Sequence, residues 1–195
     1  MTTFDYPEGA TPIDPNEVNG LLLSHIATRA ELDLWEQSNI MEGEAWAFGR
    51  KHNDILGEKF ICRLHKRMLG KVWRWAGEVR RSEKNIGVPW WLIAAELRSL
   101  CDDVTAWVDN ASYPPDEIAA RFHHRLVAIH LFPNGNGRHA RTMADLLLVQ
   151  RMGQPRFSWG SSSLTNAGDC RHRYIAALRS ADEHDYDPLM AFVRS

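Results

Sequence analysis

The chain predicts an all-α fold, a compact helical bundle with one small β-hairpin, and three observations carry that expectation. Apolar residues recur at three- and four-residue spacing along most of its length. Strand-like character is confined to about residues 79 to 89, and prolines and glycines fall between the periodic stretches, where helices start or stop. With 195 residues, 44% of them hydrophobic, the chain can bury one sizeable core and is too short for two domains of ordinary size. The expected division is an extended arm over residues 1–28 and a single domain over residues 29–195.

The arm carries Pro7, Pro12 and Pro15, each of which fixes φ and removes an amide donor. Thr28 followed by Glu31 has the layout of a capping box, so a helix should start at Arg29. From there to about His52, the residues Leu32, Trp35, Ile40, Trp46 and Phe48 keep an imperfect helical period, with a break expected near Gly43. A second helix is predicted from about Gly57 to Leu69, burying Phe60, Leu64 and Met68. Pro89 then opens a helix carrying Trp90, Ile93, Leu97 and Leu100. Pro114-Pro115 opens another, whose buried face is Ile118, Phe122, Leu126 and Ile129 and which ends at His130. Gly153 and Pro155 mark the stop of the helix after that, and Asp187 with Pro188 starts a short terminal one.

Composition excludes several classes of function. The formal net charge is −2 and the basic residues are scattered, so there is no electrostatic footprint for nucleic acid or acidic lipid. Cys62, Cys101 and Cys170 lie far apart without CxxC spacing, which argues against a disulfide framework and for the reducing cytoplasm. No stretch reaches eighteen apolar residues, and no signal-type leader is expected. Of the nine histidines, His123, His124, His130 and His139 surround one region, yet there is no HExxH and no Cys/His pairing of zinc type. His124 is expected to face solvent or a neighbouring helix.

That region, His130 to Arg141, reads HLFPNGNGRHAR. Asn134, Gly135, Asn136 and Gly137 form a turn that opens directly into a helix carrying Ala140, Met143, Ala144, Leu147 and Leu148 at helical period. Unpaired N–H groups at a helix start, together with the positive end of the helix dipole, make an anion site. Arg138 and Arg141, three apart, share one face of the first turns, where their planar forks can grip phosphate oxygens. His130 stands at the end of the preceding helix as a proton acceptor at neutral pH.

The stretch resembles the signature of the Fic family, HxFx(D/E)GNGRxxR, at His130, Phe132, Gly135, Asn136, Gly137, Arg138 and Arg141. Seven such matches would arise by chance on the order of once in 10⁹ starts. Val72 to Arg80, VWRWAGEVR, resembles the family's tryptophan-glycine corner, and Asp185 to Phe192, DYDPLMAF, its closing helix. The front, TPIDPNEVNG followed by TRAELDLWEQ, is similar to the subgroup called mobile mystery protein B. The resemblance implies a Fic-type helical bundle and a protein adenylyltransferase, which moves AMP from ATP to a Ser, Thr or Tyr hydroxyl of a target protein. His130 would be the general base. The turn amides with Asn136 would hold the β-phosphate, Arg138 and Arg141 would orient the β- and γ-phosphates, and Phe132 would anchor the loop. Doc-type relatives, which transfer phosphate, carry alanine and lysine where this chain has Gly135 and Gly137. Adenine would rest against the helix near Tyr174 to Asp182. The family's acidic residue, which helps hold Mg²⁺, is Asn134 here, and an amide oxygen brings no charge to the ion.

Two further segments carry implied roles. Residues Arg80 to Val88 have strand-compatible ends around a polar centre, and in the family a hairpin there, here Ser82, Glu83, Lys84, Asn85, Ile86 and Gly87, is the flap that lines up the target by main-chain pairing. Ser38 to Gly43, SNIMEG, matches the family's inhibitory pattern through Ser38, Glu42 and Gly43, which implies that Glu42 pairs with Arg141 and displaces the γ-phosphate. The helix carrying it would then be inhibitory. Subgroup members are often found beside a small helix-turn-helix protein, so a regulatory or antitoxin-like partner is implied as well. Alternatives are other Fic chemistry (another nucleotide, phosphotransfer or removal of AMP) and a catalytically silent nucleotide-binding module.

Overall fold

The computed structural model describes residues 18–161 and 167–195, so most of the expected arm, residues 1–17, lies outside it. The described chain is all-α. Its helices are α1 (Arg29–Phe48), α2 (Glu58–Leu69), α3 (Ile93–Asp109), α4 (Pro115–Ile129), α5 (Asn136–Arg151), α6 (Ala167–Asp182) and α7 (Asp187–Val193), with a 3₁₀ turn at Trp90–Leu92. The capping box forms as the sequence predicts: Glu31 N–H donates to the Thr28 hydroxyl at 3.2 Å, and the Glu31 carboxylate accepts from the Thr28 amide at 3.0 Å. Pro115 occupies the first turn of α4, where its missing N–H costs nothing.

Helix α1 runs unbroken through Gly43, contrary to the break expected there. A Cβ on Gly43 would come within 2.8 Å of the Met68 backbone, so the glycine allows α1 and α2 to cross closely. Trp35 is also turned outward, 46% exposed, against the His25 ring. Residues 18–28 are not loose: Leu21 forms a bridge with Trp73, Leu22 N–H donates to Val72 O, and Arg74 N–H donates to Gly20 O.

Helices α4 and α5 are central, because apolar cores form on both sides of the pair. One is built on Leu32, Leu64, Met68, Leu100, Phe122, Leu126 and Met143, and joins α1, α2, α3, α4 and α5. The other, around Ala119, Ala144, Leu148, Ala177, Leu189 and Phe192, packs α6 and α7 against the same pair. Burial at about 25 cal/mol per Å² of apolar surface on both sides fixes the axes of α4 and α5, and with them the loop between the two helices.

The expected β-hairpin is not formed. Among the described residues no strand occurs, and residues 81–88 are an irregular loop. The polar centre SEKN lacks the alternation that would give a hairpin an apolar face. Side-chain bonds from Arg80 close the loop in place of a strand ladder.

Candidate active site

The site grows from the loop between α4 and α5. His130 ends α4 in the left-handed region, φ 56° and ψ 63°, which histidine enters more readily than most residues. Five residues on, Gly135 is left-handed too, φ 78°, and a Cβ there would lie 2.4 Å from Leu69 Cδ1. Asn136 closes the loop between them: its Oδ1 accepts Phe132 N–H at 2.9 Å and its Nδ2 donates to Phe132 O at 2.8 Å. Its amide thus shapes the turn. Phe132, fully buried, stacks on the His65 ring at 3.7 Å. Asn134 Oδ1 accepts the Gly135 N–H at 2.6 Å. By its chemistry an amide oxygen suits a cation only as a single neutral ligand, and among the described residues no cluster of three or more His, Cys, Asp or Glu supplies others.

Burial, followed by the positive charges of Arg80 and Lys84, lowers the His130 pKa to about 4. The ring is therefore neutral at neutral pH and able to take a proton. Gly87, at φ 109°, brings the main chain of the 81–88 loop onto it: a Cβ on Gly87 would sit 2.7 Å from His130 Cβ.

Arg138 and Arg141 leave the first turns of α5 in different company. Arg138 Nη1 donates to Glu36 Oε2 at 2.7 Å. Arg141 lies with its guanidinium carbon 5.6 Å from the Tyr174 ring centre, a cation–π distance. Tyr174 bonds His123 Nε2 through its hydroxyl at 2.9 Å, and that hydroxyl lies 3.7 Å from where a Gly137 Cβ would stand. Gly137, Arg141 and Tyr174 thus gather at the start of α5, and Asn136 ties that start to Phe132, two residues beyond His130. Asp182 lies further along α6 and accepts from His124 Nε2 at 2.8 Å, so His124 does pack against a neighbouring helix.

Ser38 and Glu42 fall elsewhere. Glu42 is half exposed and forms an ion pair with Lys71 on the outer edge where α1 meets the end of α2. The expected Glu42–Arg141 pair is not formed. The carboxylate that does reach a signature arginine is Glu36, 2% exposed, whose Oε1 also accepts Trp73 Nε1–H at 2.6 Å.

Glu36, His65 and Arg80 were not singled out by sequence reasoning. Glu36 shares a helical stripe with Leu32, Ile40, Gly43 and Ala47, and a lone carboxylate on a buried stripe was the available signal. His65 is a strut: its Nδ1 accepts Gly77 N–H at 2.9 Å, so its Nε2–H donates to Asn134 O at 3.0 Å, tying the tryptophan-glycine corner to the signature loop. Nothing local in the sequence marks it.

Residues 55–148 match the profile of the Fic/DOC family. The chain belongs to the Fic/DOC family. It is 32% identical over 145 residues to the protein adenylyltransferase Fic of Aedes aegypti, covering 72% of this chain and 28% of that one. It is 28% identical over 147 residues to protein adenylyltransferase fic-1 of Caenorhabditis elegans, 73% of this chain and 27% of that one. This Fic chain thus spans little more than a quarter of the length of the curated relatives it matches. Among solved structures, the C. elegans Fic-1 fragment superposes with a TM-score of 0.64 at 26% identity, over 91% of this chain and 56% of that one. BepC of Bartonella tribocorum, with bound AMPPNP, superposes with a TM-score of 0.70 at 15% identity, over 93% and 97%, a likeness of fold alone.

Proposed function

We propose that this Fic protein transfers AMP from ATP to a Ser, Thr or Tyr hydroxyl of a target protein. The observation that carries the reading is His130, a neutral ring on the left-handed residue that ends α4, five residues before the left-handed Gly135 that opens α5 and its two arginines. The target hydroxyl attacks the α-phosphorus, the bond from that phosphorus to the bridging oxygen breaks, and pyrophosphate leaves. His130 takes the hydroxyl proton. First-turn amides of α5 with Arg138 and Arg141 receive the charge that develops on the leaving phosphates. Mg²⁺, entering with the nucleotide, would be held by phosphate oxygens and Asn134 Oδ1, and would supply further charge neutralisation. Names of the curated relatives and the length of matched chain support the same chemistry.

Among the described residues no helix is long and apolar enough to cross a membrane. The three free cysteines support a reducing compartment, the cytoplasm. A regulatory partner of helix-turn-helix or antitoxin type belongs to the proposal through family resemblance. A silent nucleotide-binding module is the second reading, favoured by the uncharged Asn134 alone.

Incubation with ATP and Mg²⁺ decides the chemistry. Protein labelled from α-labelled but not γ-labelled ATP, and not in His130→Asn, is the expected result. Label from γ-labelled ATP only would replace AMP transfer with phosphotransfer, and ATP binding without label of either kind would support the silent module.

A further inference from the structure

Arg80 is 3% exposed; among the described residues the carboxylate whose charge acts on it is the exposed Glu83, and its hydrogen bonds go to main-chain carbonyls. Nε donates to His130 O at 2.6 Å and Nη2 reaches Ile129 O at 3.4 Å, while Arg80 N–H donates to Leu131 O at 2.9 Å. These are carbonyls at and just past the end of α4, which a helix leaves without intrahelical partners. A cation there also meets the negative end of the helix dipole. From the same guanidinium, Nη1 donates to Ser82 O at 2.9 Å and Nη2 to Val88 O at 2.5 Å. Ser82 and Val88 are the two ends of the flap. Between them Gly87 touches both partners: a Cβ at that position would lie 2.7 Å from Arg80 Nη2 and 2.7 Å from His130 Cβ.

From this geometry we infer that Arg80 is a positioning residue for the transfer reaction, one planar fork that holds the left-handed backbone of His130 and closes both ends of the target-binding flap onto it. The inference rests on the reading of His130 as base and of residues 82–87 as flap. Base and flap are then not placed independently. Lysine cannot substitute, because an ammonium is a compact point charge without the five fixed N–H directions needed to span the flap and the helix end. The charges set against His130 are Arg80 and Lys84, so the clamp also adds to the burial that keeps the ring neutral.

Two variants separate charge from geometry. Arg80→Met removes both, and Arg80→Lys keeps the charge while losing the fork. Each is checked for folding by circular dichroism, then followed by NMR titration of the His130 ring, by trypsin cleavage after Lys84 in the flap, and by automodification from α-labelled ATP. In Arg80→Met the His130 titration should move up from about 4 toward the ordinary 6.5. Cleavage after Lys84 should quicken about tenfold as the flap opens. Transfer should fall on the order of 10²-fold, as expected for a misplaced base, with binding of a non-hydrolysable ATP analogue nearly unchanged. Arg80→Lys, which keeps the charge while the flap lifts, should raise the titration less than Arg80→Met and lose flap protection and transfer alike.

Folded Arg80→Met with unchanged titration, cleavage and transfer would overturn the inference. So would Arg80→Lys with full flap protection and transfer, which decides the matter alone if the methionine variant does not fold. Should the wild type transfer no AMP while the His130 titration and Lys84 cleavage still respond to Arg80, the clamp stands and the AMP-transfer reading falls.

Discussion

Lowering the pH from 7 to 5 should cost this protein much of its stability, through histidines buried as neutral rings. Burial lowers His123 to about 3 and both His130 and His139 to about 4, with nearby Arg141 adding to the effect at His123. His65 moves in the same direction. In the unfolded chain each ring regains a value near 6.5, so below that pH the unfolded state binds protons that the folded state refuses. The stability is present above about 6.5 and is lost as pH falls toward the folded values. Integrated from pH 7 to 5, each of the three rings with a stated value contributes a loss of about 2 kcal/mol, about 5 to 6 together. Asp145, raised to about 6 mainly by burial, runs the other way, because its folded form accepts a proton first, and returns about 1 kcal/mol. A net loss of about 4 kcal/mol is a large part of a typical domain's stability. Urea unfolding at the two pH values measures it. His139→Gln, which can keep a donor toward Ile61 O, should lower stability at pH 7 but shrink the loss on acidification by about 2 kcal/mol. An unfolding free energy flat between pH 7 and 5, or an acid loss unchanged in His139→Gln, would refute the reasoning.

The remaining expectations concern the site. Glu36→Gln removes the buried partner of Arg138 and should destabilise the fold by about 3 kcal/mol and weaken ATP-analogue binding about tenfold, as measured by urea unfolding and calorimetry, whereas Glu42→Gln, at an exposed pair, should change neither. Asn134→Asp should lower the Mg²⁺ concentration that half-saturates transfer, since a carboxylate adds charge to the ion site; an unchanged or higher requirement in a metal titration would show that residue 134 is not a ligand. Gly135→Ala should cost about 1 to 3 kcal/mol in thermal unfolding, from the left-handed backbone and the Leu69 contact.

Local rules made much of this legible. The capping box at Thr28, the proline openings of α4 and α7 and the glycine turn before α5 are fixed by neighbours a few residues away, and each lies where the sequence predicts. Gly43 misled because a glycine inside a helix signals either a break or a close crossing, and only Met68 across the gap decides between them. The flap misled for a related reason. Strand-like residues at its ends imply a ladder, but the carbonyls of Ser82 and Val88 are taken by a side chain. Glu36 and Glu42 are both glutamates of α1, and a short pattern pointed to the wrong one. Which carboxylate meets an arginine 102 residues away depends on the rotation of α1 against the core, which Leu32, Ile40 and Ala47 set jointly.

That long-range pair bears on where the protein can be cut. The stretch shared with the family runs from residue 55 to 148, and a minimal domain drawn on it would look complete, with His130, the glycine turn and both signature arginines inside. It would nevertheless leave out Glu36, the tether of Arg138, and Tyr174, the platform under Arg141. A protein trimmed to the shared stretch would keep the motif and lose what stands behind each arginine, and domain borders for expression or for grafting onto another chain belong outside α1 and α6.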